Sequence, residues 1–250
     1  MVRPWRIEYE GAYYHVFSRG NEGRDIFYDN KDRRIFFDRL GEMSDRFEID
    51  VYAFVLMTKH YHLLIQTKLA NLSRAMQWLG VSYTRRFNNR HSRSGHLFQG
   101  RFKSIVVEND TYVVELSCYI HRNPLRAGMV KRLMDFKWSS YPVYAYGRKG
   151  PKWLKTDLIL SFFSGGRSRR AYRDKVQHYA EEEKSVWEDL RDLLVFFLWE
   201  RGSYTNREIG EVFSVGYTSV SHIVKKVKNH LKANSEYRKM YESINSQIKM

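Results

Sequence analysis

The sequence lacks the features that mark secreted or membrane-inserted proteins. Its 250 residues include one cysteine, Cys118, so no internal disulfide can form and nothing favours an oxidising compartment. No apolar run reaches the roughly 18 residues that cross a bilayer, and the longest, Leu193–Trp199, is far shorter. The opening MVRPWRIEYEG has neither the apolar core nor the cleavage site of a signal peptide. We therefore expect a cytoplasmic protein that does not enter a membrane.

Acidic residues are missing from a long internal stretch. None occurs between Asp50 and Glu108, although the same stretch contains Lys59, Lys68, Arg74, Arg85, Arg86, Arg90, Arg93, Arg101 and Lys103. The chain also has a net charge of +15 and 16% aromatic residues. Together these features favour binding to nucleic acid, through its phosphate backbone and by stacking on unpaired bases. A solvated basic face is the plain alternative. A membrane surface would require basic residues beside a strongly apolar helix, and the stretch is too polar for that.

The order of predicted elements indicates an α+β fold. Strands are expected at Ala12–Gly20, Asp50–Met57, Tyr61–Thr67 and around Phe102–Val107, and helices at Asp29–Phe47, at Asn71–Asn89 and from Asp110 or Thr111 through Tyr119, with Pro124 ending or kinking the last. Thr58-Lys59-His60 would join the middle strands as a hairpin. This β-α-β-β-α-β-α order predicts a ferredoxin-like antiparallel sheet flanked by helices.

The C-terminal part of the chain is predicted to be a separate, all-α unit. Leu190–Trp199 is an apolar helix, and Thr205-Asn206-Arg207-Glu208 is a capping box. A short helix burying Ile209, Val212 and Phe213, the turn Ser214-Val215-Gly216 and a helix over Ser219–Leu231 would follow. Two short helices with a tight turn predict a helix-turn-helix, whose candidate DNA contacts are Tyr217, Ser219, Ser221, His222 and Lys225. An ordinary helical hairpin is the alternative.

Two histidines are candidates for a metal site. Side chains alternate faces along a strand, so His60 and His62 point the same way and Tyr61 points the other way. Tyr119 and Asn123 are four residues apart and share a helix face. An amide oxygen can be a third ligand for a hard divalent ion, and a phenol beside it is a placed nucleophile. The alternatives are that both histidines are only part of the scaffold, that Tyr119 packs in the core, and that Asn123 before Pro124 only ends the helix.

Several segments together resemble the single-tyrosine HUH transposases, most closely the REP-associated tyrosine transposases. They are His60-Tyr61-His62, GAYYHVFSRGNEGRDIF, GHLFQGRFKS and YIHRNPLRAGMV, and the resemblance covers about residues 3–165. It implies that His60, His62 and Asn123 hold Mg²⁺ or Mn²⁺ and that Tyr119 attacks single-stranded DNA to form a 5′-phosphotyrosine. The family's substrate is a hairpin with a single-stranded flank. Tyr61 departs from the aliphatic residue usual between the histidines.

The same resemblance assigns a use to the basic stretch. Arg85, Arg86, Arg90, Arg93, Arg101 and Lys103 would line a path for phosphates, and Phe87, Phe98 and Phe102 are available to stack on bases. His15 in the first strand could line the sheet near the site or simply pack, and packing is favoured, whereas His121 is expected to be structural or to contact DNA. The segment YTNREIGEVFSVGYTSVSHIVKKVKNHL resembles the duplex-binding helix-turn-helix of the bacterial replication initiator, which would tether the nuclease near its target.

These observations predict three regions and leave several functions open. We expect a transposase or nuclease domain at residues 1–165, a helical connector at 166–185 and a helix-turn-helix domain at 186–250. The leading hypothesis is a metal-dependent enzyme that cleaves and rejoins single-stranded DNA. A rolling-circle replication initiator or relaxase, and a duplex-binding regulator with an inactive nuclease domain, are the alternatives. The sequence leaves open a monomer or a homodimer whose Tyr119 serves the partner's site.

Overall fold

The structure, a computed structural model, describes residues 7–107, 110–163, 166–178, 186–202, 204–213 and 215–247. The chain divides into two compact units, one at Ile7–Val176 and the other from Gln177 onward. The predicted limits at 165 and 185 stay a prediction. Residues 3–6, 108–109 and 164–165 of the transposase-like segment, 179–185 of the predicted connector and Ser214 of the predicted turn lie outside the described residues.

The first unit is built on a four-stranded antiparallel sheet with the order β2-β3-β1-β4. The strands are β1 (Tyr13–Arg19), β2 (Ile49–Leu56), β3 (His60–Thr67) and β4 (Lys103–Val107). This order and the helices between the strands confirm the predicted α+β fold with a ferredoxin-like antiparallel sheet. One detail was wrong: His60 is the first residue of β3 rather than part of the hairpin turn, because it pairs with Arg19 in the ladder.

Among the described residues, six helices flank this sheet or follow it in the chain, and the last of them extends two residues beyond the limit of the first unit at Val176. They are α1 (Asn30–Phe47), α2 (Leu72–Arg90), α3 (Asp110–Arg126), α4 (Tyr141–Tyr146), α5 (Asp157–Ser161) and α6 (Ser168–His178). From the sequence, either Asp29 or Asn30 can cap α1, and Asp29 does so, since its carboxylate accepts from the amides of Lys31 and Asp32 at 2.8 and 3.0 Å. Pro124 does not end α3, which continues to Arg126.

The two faces of the sheet are covered by different helices. Alternate residues such as Tyr14, Val16 and Leu63 pack in a core with apolar side chains of α1 and α2. Tyr61 belongs to that core, with its ring 4.8 Å from Phe36, which confirms that it points away from the histidine pair. The opposite face is covered by α3, which contacts β2 and β3.

The described part of the second unit contains four helices: α7 (Val186–Glu200), α8 (Asn206–Phe213), α9 (Tyr217–Ala233) and α10 (Ser235–Gln247). The capping box is confirmed, because the Thr205 amide donates to Glu208 at 2.9 Å and the Glu208 amide donates to Thr205 Oγ1 at 3.3 Å. Ile209 and Phe213 are buried as predicted, whereas Val212 is only half-buried. The helix α10 was not predicted.

The connection between α8 and α9 depends on a glycine that the sequence pattern did not single out. A Cβ at Gly210 would lie 2.7 Å from the carbonyl oxygen of Val215, closer than such atoms approach. The Val215 amide in turn donates to the Gly210 carbonyl at 2.8 Å. Glycine therefore permits the tight return of the chain into α9, whose Val220, Val224 and Val227 are buried.

Candidate active site

The two histidines of β3 lie side by side on the face that α3 covers. The rings of His60 and His62 are 5.1 Å apart between centroids and nearly perpendicular, at 88°. Because residues two apart on a strand share a face, this arrangement follows directly from the strand. His62 is fully buried, whereas His60 at the strand's first position is half-buried. The pair is therefore open at the end of β3 where the hairpin turns.

A third histidine, His15, lies in this cluster, although the sequence favoured packing over a position near the site. His15 on β1 has its Nε2 2.9 Å from Nδ1 of His62, within hydrogen-bond distance. The two rings stack with centroids 5.1 Å apart and planes 25° apart. In the ladder His62 is opposite Phe17 and His15 is opposite Leu64, so the histidines are diagonal neighbours on one face. Strand alternation from His62 could have indicated this contact only if the register had been known.

Tyr119 on α3 lies across the same rings. Its ring centroid is 6.1 Å from that of His62 and 6.0 Å from that of His15, in edge-to-face geometry. The side chain is 4% exposed. The Arg126 guanidinium lies over its ring, 5.4 Å from the centroid. The structure thus brings the predicted nucleophile to the predicted ligand histidines within one chain and adds an exposed cation that the sequence analysis missed.

Asn123 is held by the helix that carries it. Its amide Nδ2 donates to the carbonyls of Tyr119 and Ile120, at 3.0 and 3.3 Å. Pro124 has no amide hydrogen and therefore cannot give the Ile120 carbonyl its helical bond. The Asn123 side chain supplies that bond instead. With the nitrogen bound to backbone carbonyls, the amide oxygen is turned away from them.

Burial keeps the histidines of this cluster neutral. Desolvation, with a smaller contribution from the charge of Arg19, lowers the pKa of His60 to about 4. Desolvation lowers the pKa of His15 to about 3. The pKa of His62 lies well below its usual value, mainly through burial and then through His15, His60 and Arg126. At neutral pH all three imidazoles are therefore in the uncharged form that can bind a metal ion.

The candidate donor set would require a divalent ion that accepts both imidazole nitrogen and amide oxygen. Within the described residues no three or more His, Cys, Asp and Glu side chains gather into a metal-binding group, so an ion here would need a ligand of another type. Nε2 of His62 is buried and has no hydrogen-bond partner among the described atoms, which is the environment expected of a nitrogen awaiting a ligand. Two imidazoles and an amide oxygen are a donor set that Mg²⁺ or Mn²⁺ accepts.

His121 does not face this cluster. Its Nδ1 is 2.6 Å from the Tyr172 hydroxyl on α6, and its Nε2 is 2.6 Å from Oγ of Ser140. The side chain is fully buried, and desolvation lowers its pKa to about 3. Of the two roles considered for His121, the structure supports the structural one, because a fully buried ring cannot contact DNA.

The basic residues of the acid-free stretch lie on both faces of the sheet. Lys103 pairs with Phe17 in the ladder, and Phe17 pairs with His62, so all three share the site face. Arg19, opposite His60, belongs to the same face and was not singled out from the sequence. Arg101 is exposed just before β4. Only part of the predicted phosphate path is therefore close to the histidines.

The other part of the path lines a groove beside α1 and α2, on the far face of the sheet. The groove has a volume of about 1310 Å³, and its basic lining residues are Lys31, Arg39, Arg46, Arg74, Arg85, Arg86 and Arg90. Arg85 and Arg86 are exposed, whereas Arg90 is bound to Asp29 and Asp32. Arg93 donates to the Tyr28 hydroxyl at 3.1 Å, and Phe87 is a core residue that is not available for stacking.

The residues proposed for duplex contacts lie near the start of α9. Tyr217 is 68% exposed, and Ser221, His222 and Lys225 are also exposed, whereas Ser219 is half-buried. Nδ2 of Asn206 on α8 donates to the Ser221 hydroxyl at 3.0 Å. The described helices include none that is long and apolar enough to cross a membrane.

Comparison with known proteins matches part of the first unit to a protein family and finds solved structures that are similar to the chain. Residues 8–123 match the family model described as "Transposase IS200 like". The fold is similar to that of a REP-associated tyrosine transposase bound to a REP hairpin, with a TM-score of 0.51 and 17% identity over 63% of this chain and 93% of that chain. A protein described as a transposase from Deinococcus radiodurans R1 matches with a TM-score of 0.35 and 16% identity over 48% of this chain and 97% of that one. No curated protein sequence is significantly similar.

Proposed function

We propose that this protein, whose residues 8–123 match the family model of IS200-like transposases, is a metal-dependent single-strand DNA endonuclease and strand transferase. It cuts and rejoins DNA next to hairpins through a covalent bond to Tyr119. The observation that carries the proposal is the unpartnered, buried Nε2 of His62, with the Tyr119 ring 6.1 Å away on the facing helix. A merely structural histidine in this position would be expected to have both ring nitrogens satisfied.

His60, His62 and Asn123 would hold Mg²⁺ or Mn²⁺. A bound divalent ion would polarise the scissile phosphate and offset the charge that develops on its oxygens. The residues of the chain prepare this site in the absence of the ion. Burial keeps both imidazoles neutral, and the bonds from Asn123 Nδ2 to Tyr119 and Ile120 turn its amide oxygen outward. Neutral imidazoles and a fixed amide oxygen lower the cost of assembling the site.

Tyr119 is the nucleophile of the proposed reaction. Its Oη forms a bond to the phosphorus of single-stranded DNA, the bond to the 3′ oxygen breaks, and that oxygen takes a proton and leaves as a 3′ hydroxyl. The phenolic proton passes to solvent. Attack by the 3′ hydroxyl of another strand reverses these steps and rejoins the DNA. Since phenol has a reference pKa near 10, the attack needs help, and the Arg126 guanidinium over the ring is placed to offset negative charge that develops during the reaction.

The arrangement favours attack in cis. Tyr119 already lies against His62 and His15 of its own chain, at centroid distances of 6.1 and 6.0 Å. No rearrangement of α3 is needed to bring the nucleophile to its own metal site. A homodimer, if the protein forms one, would then serve to hold two DNA ends rather than to complete either active site.

DNA would contact the first unit on both faces of the sheet. Lys103 and Arg101, with Arg19, would guide the single-stranded flank into the site, because Lys103 and Arg19 share its face. Arg85 and Arg86 in the groove beside α1 and α2 would hold phosphates of the hairpin stem, the kind of DNA to which the similar solved structure is bound. Arg90 and Arg93 would contribute less, since acidic or phenolic partners already engage them.

The second unit would supply a duplex contact. The exposed side chains of α9, with Tyr217, His222 and Lys225 near its start, would enter a major groove in the manner of a helix-turn-helix. Ser219 and Ser221 would contact the flanking phosphates. Such a contact would raise the effective concentration of the nuclease at its target.

A covalent adduct tests the proposal. The full-length protein is incubated with single-stranded DNA that folds into a hairpin, with Mn²⁺ or Mg²⁺, and the products are separated on a denaturing gel. We expect a protein–DNA adduct that disappears in Tyr119→Phe and when the metal is chelated. Tyr112→Phe, the same change seven residues earlier on α3, is the matched control and should retain the adduct. An adduct that survives in Tyr119→Phe would refute the assignment, and duplex binding without any adduct would favour the regulator.

A further inference from the structure

His15 and His62 form a pair that the proposed reaction does not by itself require. Both side chains are buried, at 2% and 1% exposure. Nε2 of His15 is 2.9 Å from Nδ1 of His62, while the other ring nitrogen of His62 has no partner among the described residues. The two histidines lie on neighbouring strands, β1 and β3, as diagonal neighbours on the site face.

A hydrogen bond between two neutral imidazoles has one donor and one acceptor, so it fixes the tautomer of both rings. If His15 donated, His62 would carry its proton on Nε2, as a buried N–H with no acceptor in the described part of the protein. If His62 donates from Nδ1, its Nε2 carries a lone pair that a metal ion can take up. Only in the second arrangement does each nitrogen of His62 have a partner, with Nδ1 donating to His15 and Nε2 available to the metal ion.

We propose that His15 is a positioning residue that accepts a hydrogen bond from Nδ1 of His62 and thereby presents Nε2 of His62 to the metal ion. The inference rests on the proposed function, because it supposes that His62 is a ligand. Histidine ligands usually donate their second ring nitrogen to a carboxylate, a carbonyl or a water. In this site a neutral imidazole has that role, and no negative charge is added beside the DNA phosphate.

The geometry argues against His15 as a ligand itself. Its Nε2 is already engaged by His62, and the described residues contain no group of three histidines or carboxylates placed to share an ion. The Tyr119 ring contacts both His15 and His62. His15 therefore braces the ligand from the side opposite the open end of β3, where His60 begins the strand.

The test measures metal binding and tautomer rather than turnover. Mn²⁺ binding to the full-length chain is measured by calorimetry for the wild type, His15→Leu, His15→Gln and Phe17→Leu. Loss of an outer hydrogen bond to a ligand typically weakens metal affinity by about 10- to 100-fold, and we expect that loss in His15→Leu. His15→Gln retains a carbonyl that can accept from His62 and should recover most of the affinity. Phe17→Leu is the matched control, because Phe17 touches the His62 ring without a hydrogen bond.

A second measurement does not depend on metal. Long-range ¹H–¹⁵N correlation spectra of the metal-free wild type report which nitrogen of His62 carries the proton, and we expect Nδ1. A proton on Nε2, or wild-type affinity in His15→Leu, would overturn the inference while leaving the proposed metal site intact. A wild type that binds no Mn²⁺ would remove the metal site and the inference together. If His15→Leu does not fold, the Mn²⁺ affinity of His15→Gln and the tautomer of His62 in the wild type still test the inference.

Discussion

The two faces of the sheet both contain buried aromatic and polar side chains but use them differently. On the face covered by α1 and α2, Tyr61, Phe36 and Tyr83 pack ring against ring, and the hydroxyl of Tyr83 is bound to a backbone carbonyl. On the face covered by α3, the rings of His15, His62 and Tyr119 meet, and Nε2 of His62 has no hydrogen-bond partner among the described atoms. The buried hydroxyl of Tyr83 is therefore satisfied within the fold, whereas this buried imidazole nitrogen is left for a ligand, as expected of a binding site.

The sharpest test of this contrast removes a ligand without disturbing the core. His60→Ala should abolish the DNA adduct in Mn²⁺, because the metal loses one of three proposed ligands. It should change the free energy of unfolding by no more than about 1 kcal/mol, since the side chain is half-buried at a strand end. Gel analysis measures the first quantity, and amide hydrogen exchange in β3 measures the second. Lys59→Ala, in the exposed turn next to it, is the control, and an adduct at wild-type level in His60→Ala would contradict the contrast.

The converse change weakens the core and spares the chemistry. Phe36→Ala on the other face should cost about 3–5 kcal/mol, the range for truncating a buried phenylalanine. Amide hydrogen exchange in β3 is the appropriate measurement, because the chain has two compact units and global unfolding need not be two-state. Adduct formation per folded molecule should remain near that of the wild type. A specific loss of adduct in the folded fraction would show that the faces are coupled.

Acid should weaken the fold through histidines that are buried in their neutral form. The pKa of His121 is about 3 in the folded protein, whereas the unfolded chain takes up the proton below about pH 6.5. Stability is therefore complete above pH 6.5 and falls by about 1.4 kcal/mol per pH unit below it for each such histidine. His121→Gln should be less stable at pH 7.5 but lose less on acidification. Hydrogen exchange of α3 and β3 amides between pH 7 and pH 4.5 measures how the free energy of unfolding depends on pH. Parallel curves for the wild type and His121→Gln would contradict the role given to His121.

The contribution of the groove beside α1 and α2 to DNA binding can be distinguished from that of the site by the salt dependence of the affinity. Arg86→Ala should weaken binding of hairpin DNA and reduce the slope of log affinity against log salt by about 0.7–0.9, the value for one lost phosphate contact. Arg90→Ala should change this slope less, because Asp29 and Asp32 already offset its charge. Fluorescence anisotropy at several salt concentrations gives both slopes. An unchanged slope in Arg86→Ala would remove Arg86 from the phosphate contacts.

The smallest expected effect concerns Pro124. Pro124→Ala restores an amide that can donate to the Ile120 carbonyl and compete with the Asn123 side chain, which donates there at 3.3 Å. We expect Mn²⁺ affinity to fall by roughly several-fold, less than the loss that follows removal of an outer hydrogen bond to a histidine ligand. Calorimetry measures it, with Leu125→Ala, the next residue of α3, as the control. Unchanged affinity would show that Asn123 needs no such support.

Local sequence patterns predicted the elements well and their contacts less well. Asp29, one of two candidate caps of α1, and Thr205 with Glu208 as a capping box were confirmed, because a cap involves residues at most three apart. The assignment of His60 to a turn was wrong, since pairing with Arg19 across the ladder extends β3 to include it. The end of α3 could not be read from Pro124, because the side chain of Asn123 replaces the missing helical bond.

The candidate site shows the same division between local and distant information. That His60 and His62 share a face, and that Tyr119 and Asn123 share another, follows from the periods of a strand and a helix, which depend only on neighbouring residues. That these two faces meet, that His15 rather than water lies behind His62, and that Arg85 and Lys103 lie on opposite sides of the sheet depend on strand register and on which helix packs on which face. Those choices are made by contacts between residues far apart in the chain, so only the folded protein contains them.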